Sequence, residues 1–338
     1  MLKTQRKPIG AQDISNLLVS YFPNLIVAFY EMQSSFLSGI YKRNDSIESA
    51  IIKLCFLKGI HLKILRKREQ NLDYNISLSK MLDNINCIEN PNQKIISIVN
   101  LTAFPKETAR RKMKSLVKKG FLIHDKKNRD YYFNFVNKNK NLYTKEFDQE
   151  VKVLSKFVSV CSNCLNLNLN KNTIEDEIKM QFSFYWYHFL SCQLDWLKMW
   201  QEKIKDLDLI LIVLQAIIKN LEWSEKKYNA KSINLDNIHT IIGKYNEPEV
   251  QNKHSAISAT SISEISGIPR ATCIRKLKKL VKLGLLTKDE SSKGFFINQI
   301  TSARTKNILT KENINNTIKV FSEYISIMLN AVNRKNQI

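Results

Sequence analysis

Residues 105–133 read PKETARRKMKSLVKKGFLIHDKKNRDYYF, and residues 269–297 read PRATCIRKLKKLVKLGLLTKDESSKGFFI. The second string is the first moved along by 164 residues without a gap. Widened to Ser97–Asn134 against Ser261–Asn298, 14 of 38 positions are identical, where composition alone gives roughly two or three. The chain carries an internal duplication, so every local reading has a second copy to answer to.

Each copy opens with a helical signal. Ala109, Met113, Leu116 and Val117 recur at the spacing of one buried helix face, and Cys273, Leu277, Leu280 and Val281 repeat it. Pro105 and Pro269 suit the start, where a missing N–H costs nothing; Gly120 and Gly284 suit the position just past the end. The opposite side carries Lys106, Glu107, Thr108, Arg110, Arg111, Lys114 and Lys118 in one copy, and Arg270, Ala271, Thr272, Ile274, Arg275, Lys278 and Lys282 in the other. Such a helix, ~15 residues and ~22 Å long, fits the major groove of B-DNA. After the glycine a short apolar run, a polar tip and an aromatic run predict a β-hairpin, with Lys126, Lys127 and Arg129, or Lys288 and Lys293, at its tip. Ahead of the helix, Ser261-Ile-Ser-Glu264 reads as a capping box opening a short helix, and Gly267 as the turn that follows. The first copy has Ser97-Ile-Val-Asn100 and Ala103 there.

The segment SISEISGIPRATCIRKLKKLVKLGLL resembles the helix-turn-helix of bacterial winged-helix transcription regulators, those of the MarR and IclR families in particular. The order of elements in each half, two long helices, a winged helix-turn-helix and a closing helix, resembles the MarR subunit. That resemblance implies a mainly α fold with small β-wings, two tandem repeats packed as a MarR-like pseudo-dimer, and an interface made by first and last helices. The long polar insertion before each helix-turn-helix and the fusion of two copies depart from MarR, so no ligand residues carry over.

The boundaries follow from the repeat. Residues 1–172 form the first unit, with helices over 13–67, the winged helix-turn-helix over 95–136 and a closing helix over 145–165. Residues 173–338 form the second, with helices over 173–227, the winged unit over 259–300 and a closing helix over 311–333. Residues 1–11 read as a loose basic arm, and Asp13 as the cap of a helix that breaks at Pro23. A shift of 164 also pairs Tyr21 with Tyr185, Phe22 with Trp186 and Phe36 with Trp200. VKVLSKFVSVCSNCLN (151–166) matches IKVFSEYISIMLNAVN (318–333) after a short insertion. Residues 70–94 and 229–257 are polar, do not align, and read as loops with short helical pieces; the alternating Leu/Asn run 165–172 reads as the linker.

A balance of 53 Lys and Arg against 31 Asp and Glu, net +22, attracts polyanions. An AT-rich genome would enforce many lysines, but it does not place them on the outer face of the same helix twice. Six scattered cysteines make no disulfide scaffold and fit a reducing cytoplasm, at the nucleoid if DNA is the partner. The apolar run Leu17–Tyr30, behind Lys3, Arg6 and Lys7, is interrupted by Pro23 and Asn24 and is shorter than a span of ~20 residues, so no membrane is expected.

Double-stranded DNA is therefore the expected partner, and the chain is expected to serve as its own dimer, with further association left open. Lys106-Glu107 against Arg270-Ala271, and Arg110 against Ile274, make the two heads unequal, which predicts an asymmetric site. A non-specific architectural DNA-binding protein and a protein-interaction module are the alternatives. Tyr185, Trp186, Trp196 and Trp200 stand either as the lining of a small-molecule effector pocket or as plain core. Cys161 with Cys164, and His188 with Cys192, lack further ligands, so neither a metal nor a cofactor is expected; buried thiols are the plainer reading. With eight glycines, no phosphate loop, no G-x-S-x-G and no H-E-x-x-H, the chain is not expected to be an enzyme.

Overall fold

The structure is a computed structural model that describes residues 8–44, 46–71, 76–84, 89–134, 140–228, 255–297 and 311–335. The fold is mainly helical, with two small antiparallel two-stranded sheets. The first half contains α1 (Ala11–Ser20), α2 (Phe22–Lys42), α3 (Ile47–Gln70), α4 (Leu78–Asn84), α5 (Ile95–Thr102), α6 (Lys106–Lys118), β1 (Leu122–Asp125), β2 (Asp130–Phe133) and α7 (Lys140–Cys164). The second contains α8 (Lys171–Met180), α9 (Phe182–Ile204), α10 (Leu207–Tyr228), α11 (Ala259–Ser266), α12 (Arg270–Lys282), β3 (Leu286–Lys288), β4 (Phe295–Ile297) and α13 (Lys311–Lys335). Parts of the expected units, 135–136, 229–254 and 298–300, lie outside the described residues.

From α5 through the hairpins the halves repeat at the 164-residue shift: Ile95 and Ala259 begin the short helices, Lys106 and Arg270 the longer ones, and Leu122 and Leu286 the first strands. The long helices obey a different shift. Phe22 opens α2 and Phe182 opens α9, while Ile47 and Leu207 open α3 and α10, a displacement of 160. The pairing of Tyr21 with Tyr185 is therefore one helical turn out. Phe22 matches Phe182, and Phe36 matches Trp196. A slip of four residues leaves an apolar helix face almost in register with itself, so sequence alone does not penalise it.

Local ends also differ from expectation. Gly10 is the N-cap of α1, and Asp13 stands at the third helical position, where its Oδ2 accepts the Gly10 N–H at 3.0 Å. The chain breaks at Tyr21, with Pro23 in the first turn of α2, and breaks again at Gln181 with no proline to announce it. The α11 cap is Ser258, whose Oγ accepts the Ser261 N–H at 3.0 Å, so the helix begins one turn before the capping box read at Ser261. Ser46 caps α3 in the same manner. In the linker, Asn166 and Asn168 take left-handed backbone (φ 56 and 49), which asparagine tolerates better than most residues.

Packing interleaves the halves. α1 lies against α13 and α8 against α7; α3 lies against α9 and α10 against α2; α5 lies against α9 and α11 against α2. Interchanging the halves maps this set of contacts onto itself. The hydrogen bonds follow the same rule: Ser326 Oγ donates to the Ile9 carbonyl at 2.7 Å, and Ser159 Oγ to the Leu169 carbonyl at 2.9 Å. Asn330 adds a second tie to Ile9, so this end of the N-terminal arm is held rather than loose. Ring contacts match too, Phe29 on Phe157 at 5.8 Å and Phe189 on Tyr324 at 5.7 Å.

α3 and α10 are apolar on more than one side and run through the core. Ile51, Ile52, Leu54, Cys55 and Phe56, and Leu209, Ile210, Leu211, Ile212 and Leu214, are all buried. His61 of α3 is buried with them, its ring edge-on to Phe182 at 5.7 Å, and burial drops its pKa to about 3. The unfolded histidine titrates near 6.5. Below that value the unfolded chain takes up a proton that the folded chain refuses, so stability falls as pH drops from about 6.5 toward 3. Urea unfolding at pH 7 and pH 5 is expected to show a loss of roughly 2 kcal/mol from this residue, and that portion is expected to vanish in His61→Leu.

Candidate nucleic-acid interface

α6 and α12 are built alike. Each is preceded by proline at the N-cap, Pro105 with φ −53 and ψ 137 and Pro269 with φ −53 and ψ 135. Each ends in a left-handed glycine, Gly120 (φ 76) and Gly284 (φ 71). Ala109, Met113 and Leu116 face inward from one helix, and Cys273, Leu277 and Leu280 from the other.

With those faces covered, the helix sides predicted to meet a ligand stay in solvent. Lys106, Glu107, Arg110, Arg111 and Lys114 are exposed, as are Arg270, Ala271, Arg275 and Lys278; Thr108, Thr272 and Ile274 are half-buried. Arg110 Nη1 donates to Glu107 at 3.0 Å, and Arg270 Nε donates to Thr260 Oγ1 at 3.1 Å. Arg111, Lys114, Arg275 and Lys278 have no hydrogen-bonding or ion-pair partner among the described residues.

The hairpins stand beside these helices. β1 and β2 pair Leu122 with Phe133 and Asp125 with Asp130; β3 and β4 pair Leu286 with Ile297. An isolated bridge ties Gln93 to Tyr131, and its counterpart ties Ile257 to Phe295, so a third short segment anchors the entry of α5 and α11 to each hairpin. At the tips Lys126, Lys127 and Arg129, and Lys288 and Lys293, are exposed. Asp125 organises one tip by accepting the Lys127 N–H at 2.9 Å, and Asp289 the other by accepting the Ser292 N–H at 2.8 Å. Hydrogen bonds from Asn128 and Ser292 hold these two exposed carboxyls below their ordinary range. Lys288 is paired to Glu290 at 3.1 Å, so the second tip offers less free positive charge than the first.

Two lysines that sequence reasoning passed over fix the helices from behind. Lys112 Nζ reaches Ser46 Oγ at 2.6 Å and Glu48 Oε2 at 3.1 Å. Its counterpart Lys276 reaches Asp206 Oδ1 at 2.6 Å and Asp208 Oδ2 at 2.8 Å. The signal was present in the duplication, since Lys112 and Lys276 are identical at a position flanking the buried stripe. The acidic partners lie under the other shift, which hid the match.

The aromatic set falls in the core. Tyr185, Trp186 and Trp196 are buried, Trp200 is half-buried, and Phe182 stacks on Trp186 with centroids 4.9 Å apart. Tyr185 Oη donates to Glu177 Oε1 at 3.1 Å. Cys161 and Cys192 are buried, and burial raises both thiols. Among the described residues no three His, Cys, Asp or Glu side chains gather to hold a metal ion, and no helix is long and apolar enough to cross a membrane.

Compared with protein-family models, curated proteins and solved structures, the chain finds no match.

The turn that aims each exposed helix differs between halves. Ala103 holds φ 56 where the second half has Gly267 at φ 77. An alanine there carries strain that glycine does not, and a Cβ on Gly267 would lie 2.5 Å from Lys42 Cγ of α2. Ala103→Gly is accordingly expected to stabilise the protein by roughly 1 kcal/mol, and Gly267→Ala to destabilise it by at least that much. Urea midpoints of the two variants check the opposite signs.

Proposed function

We propose that this chain is a sequence-specific DNA-binding transcription regulator, built as two winged helix-turn-helix repeats that pack as a single-chain pseudo-dimer in the manner of MarR-type regulators. In this reading α5 and α11 are the first helices of the two helix-turn-helix units, α6 and α12 the recognition helices, and the two hairpins the wings. α1, α7, α8 and α13 are the interface made by first and last helices.

One observation carries the reading: Arg111 with Lys114, and Arg275 with Lys278, stand exposed at equivalent places on two equivalent helices, and no protein group engages them among the described residues. Charged side chains held out from a rigid frame suit phosphate or guanine edges, arginine above all because its fork is bidentate. Basic wing tips add phosphate contacts to the flanks. The surface pair Glu107–Arg110 is weak enough to open on a duplex, freeing one group for a base and one for a cytosine amine. Ala271 and Ile274 give the second head no such pair, so its half of the site differs and the duplex target is asymmetric.

Footprinting on genomic fragments, followed by titration of the protected duplex, tests the reading. Affinity is expected to fall with log salt at a slope of about −0.9 per neutralised phosphate. Arg111→Ala and Arg275→Ala are each expected to weaken binding by roughly fivefold or more, with unfolding midpoints unchanged. Random duplex competing at equal strength would replace specific regulation with an architectural role, and unaltered affinity in both variants would remove the helices from the interface.

A further inference from the structure

The two lysine clamps do not stand apart. Glu48 lies in the first turn of α3 and Asp208 in the first turn of α10, and α3 and α10 meet between the halves. Burial is the main cause that lifts the Asp208 carboxyl above its ordinary value; Lys276 opposes the rise, and the charges of Glu48 and Asp206 add to it. Burial would lift Glu48 as well, but Lys112 holds it below the usual carboxylate range. Tyr41 of α2 senses both carboxylates, its hydroxyl pushed up to about 12 by burial first and then by Asp208, Cys273 and Glu48. Asp208 Oδ1 is buried and accepts no hydrogen bond among the described residues, so this carboxylate depends on Lys276 for its compensation.

We infer that Lys112–Glu48 and Asp208–Lys276 form one charged junction across the two halves, which couples the setting of α6 to that of α12. Like charges on Glu48 and Asp208 repel, and each is tolerated because a lysine from the exposed helix of its own half sits against it. Withdrawing one lysine leaves its carboxylate uncompensated, and the excess negative charge acts on the neighbouring clamp as well as its own. The junction is unequal by construction: Lys112 binds one carboxylate and a hydroxyl, whereas Lys276 binds two carboxylates, with Lys279 at 3.3 Å from the first of them. If the exposed helices read DNA as proposed above, Lys112 and Lys276 are positioning residues that transmit the seating of one head to the other.

Amide hydrogen exchange of the full chain without DNA isolates the junction from the functional reading. Lys276→Met is expected to speed exchange by roughly fivefold not only in 270–282 but also in 106–118, on the opposite half, and Lys276→Arg to restore both. Glu48→Gln has a sign that a merely structural role does not produce. Lys112 loses its ion pair, so 106–118 exchanges faster, while Asp208 is relieved of a like charge, so 270–282 exchanges more slowly. Should Lys276→Met unfold the whole chain, Glu48→Gln decides alone. Changes confined to the half that carries the substitution, or 270–282 unchanged or faster in Glu48→Gln, overturn the coupling. Failure to bind any duplex would overturn the regulator reading and leave these exchange results standing.

Discussion

Helices that are apolar on more than one side have to be covered twice, and that constraint shapes the whole molecule. α3 buries consecutive residues from Ala50 to Phe56, and α10 does the same from Leu209 to Ile212. One flank of each is closed by the helices and hairpin of its own half, and the other by a long helix of the opposite half, α9 over α3 and α2 over α10. At roughly 1.5–3 kcal/mol for each large side chain fully removed from water, uncovering either flank would cost more than a domain's net stability. Interleaving is what these two sequences need, and the exposed basic helices take their directions from it.

Given that arrangement, covalent linkage has a clear effect. Two separate chains would have to find each other at the cell's concentration, whereas a six-residue link from Leu165 to Asn170 keeps the second half close to the first. The two copies nevertheless differ at named positions on these helices and hairpins. Glu107 and Arg110 on one side stand against Ala271 and Ile274 on the other, and a hairpin tip of three basic residues against one that pairs Lys288 internally.

How much of this the sequence disclosed depends on the physics of each element. α6 and α12 are the most legible elements, because proline, glycine and a strict apolar stripe mark both ends and the inward face, although the helices are 13 residues long with the prolines at the N-cap. The hairpins were legible from the aromatic runs. The pairing of the first long helices, Tyr21 with Tyr185, is out by one turn, since a four-residue slip costs a helix pattern almost nothing and the four extra residues of the second half lie between α10 and α11. The break at Gln181 carries no signal of its own, because neither proline nor glycine stands near it. Least legible were the contacts between halves and the lysine clamps. A lysine bound to a helix N-terminus 66 positions away looks, in a string of letters, the same as one waving in solvent.

The arginines bear on what the exposed faces are for. Of 53 basic residues 11 are arginine and 42 lysine, a ratio that fits a composition biased toward AT-rich codons. Five of the 11 arginines, at 110, 111, 129, 270 and 275, fall within the two 29-residue stretches that hold the exposed helices and the hairpins. A solvated surface gains nothing from arginine over lysine, since both keep it soluble. A planar, bidentate partner does, because the guanidinium fork meets two acceptors at once while an ammonium meets them only as a point charge. Identity between the copies sorts the same way. Leu116 and Leu280, Gly120 and Gly284, Leu122 and Leu286 are kept by the frame they build. Arg111 and Arg275 are exposed, touch no other side chain through a hydrogen bond or ion pair among the described residues, and have no frame to keep them alike. Under the function proposed above, their likeness answers to a duplex that presents paired acceptors to both halves at its guanines and phosphates.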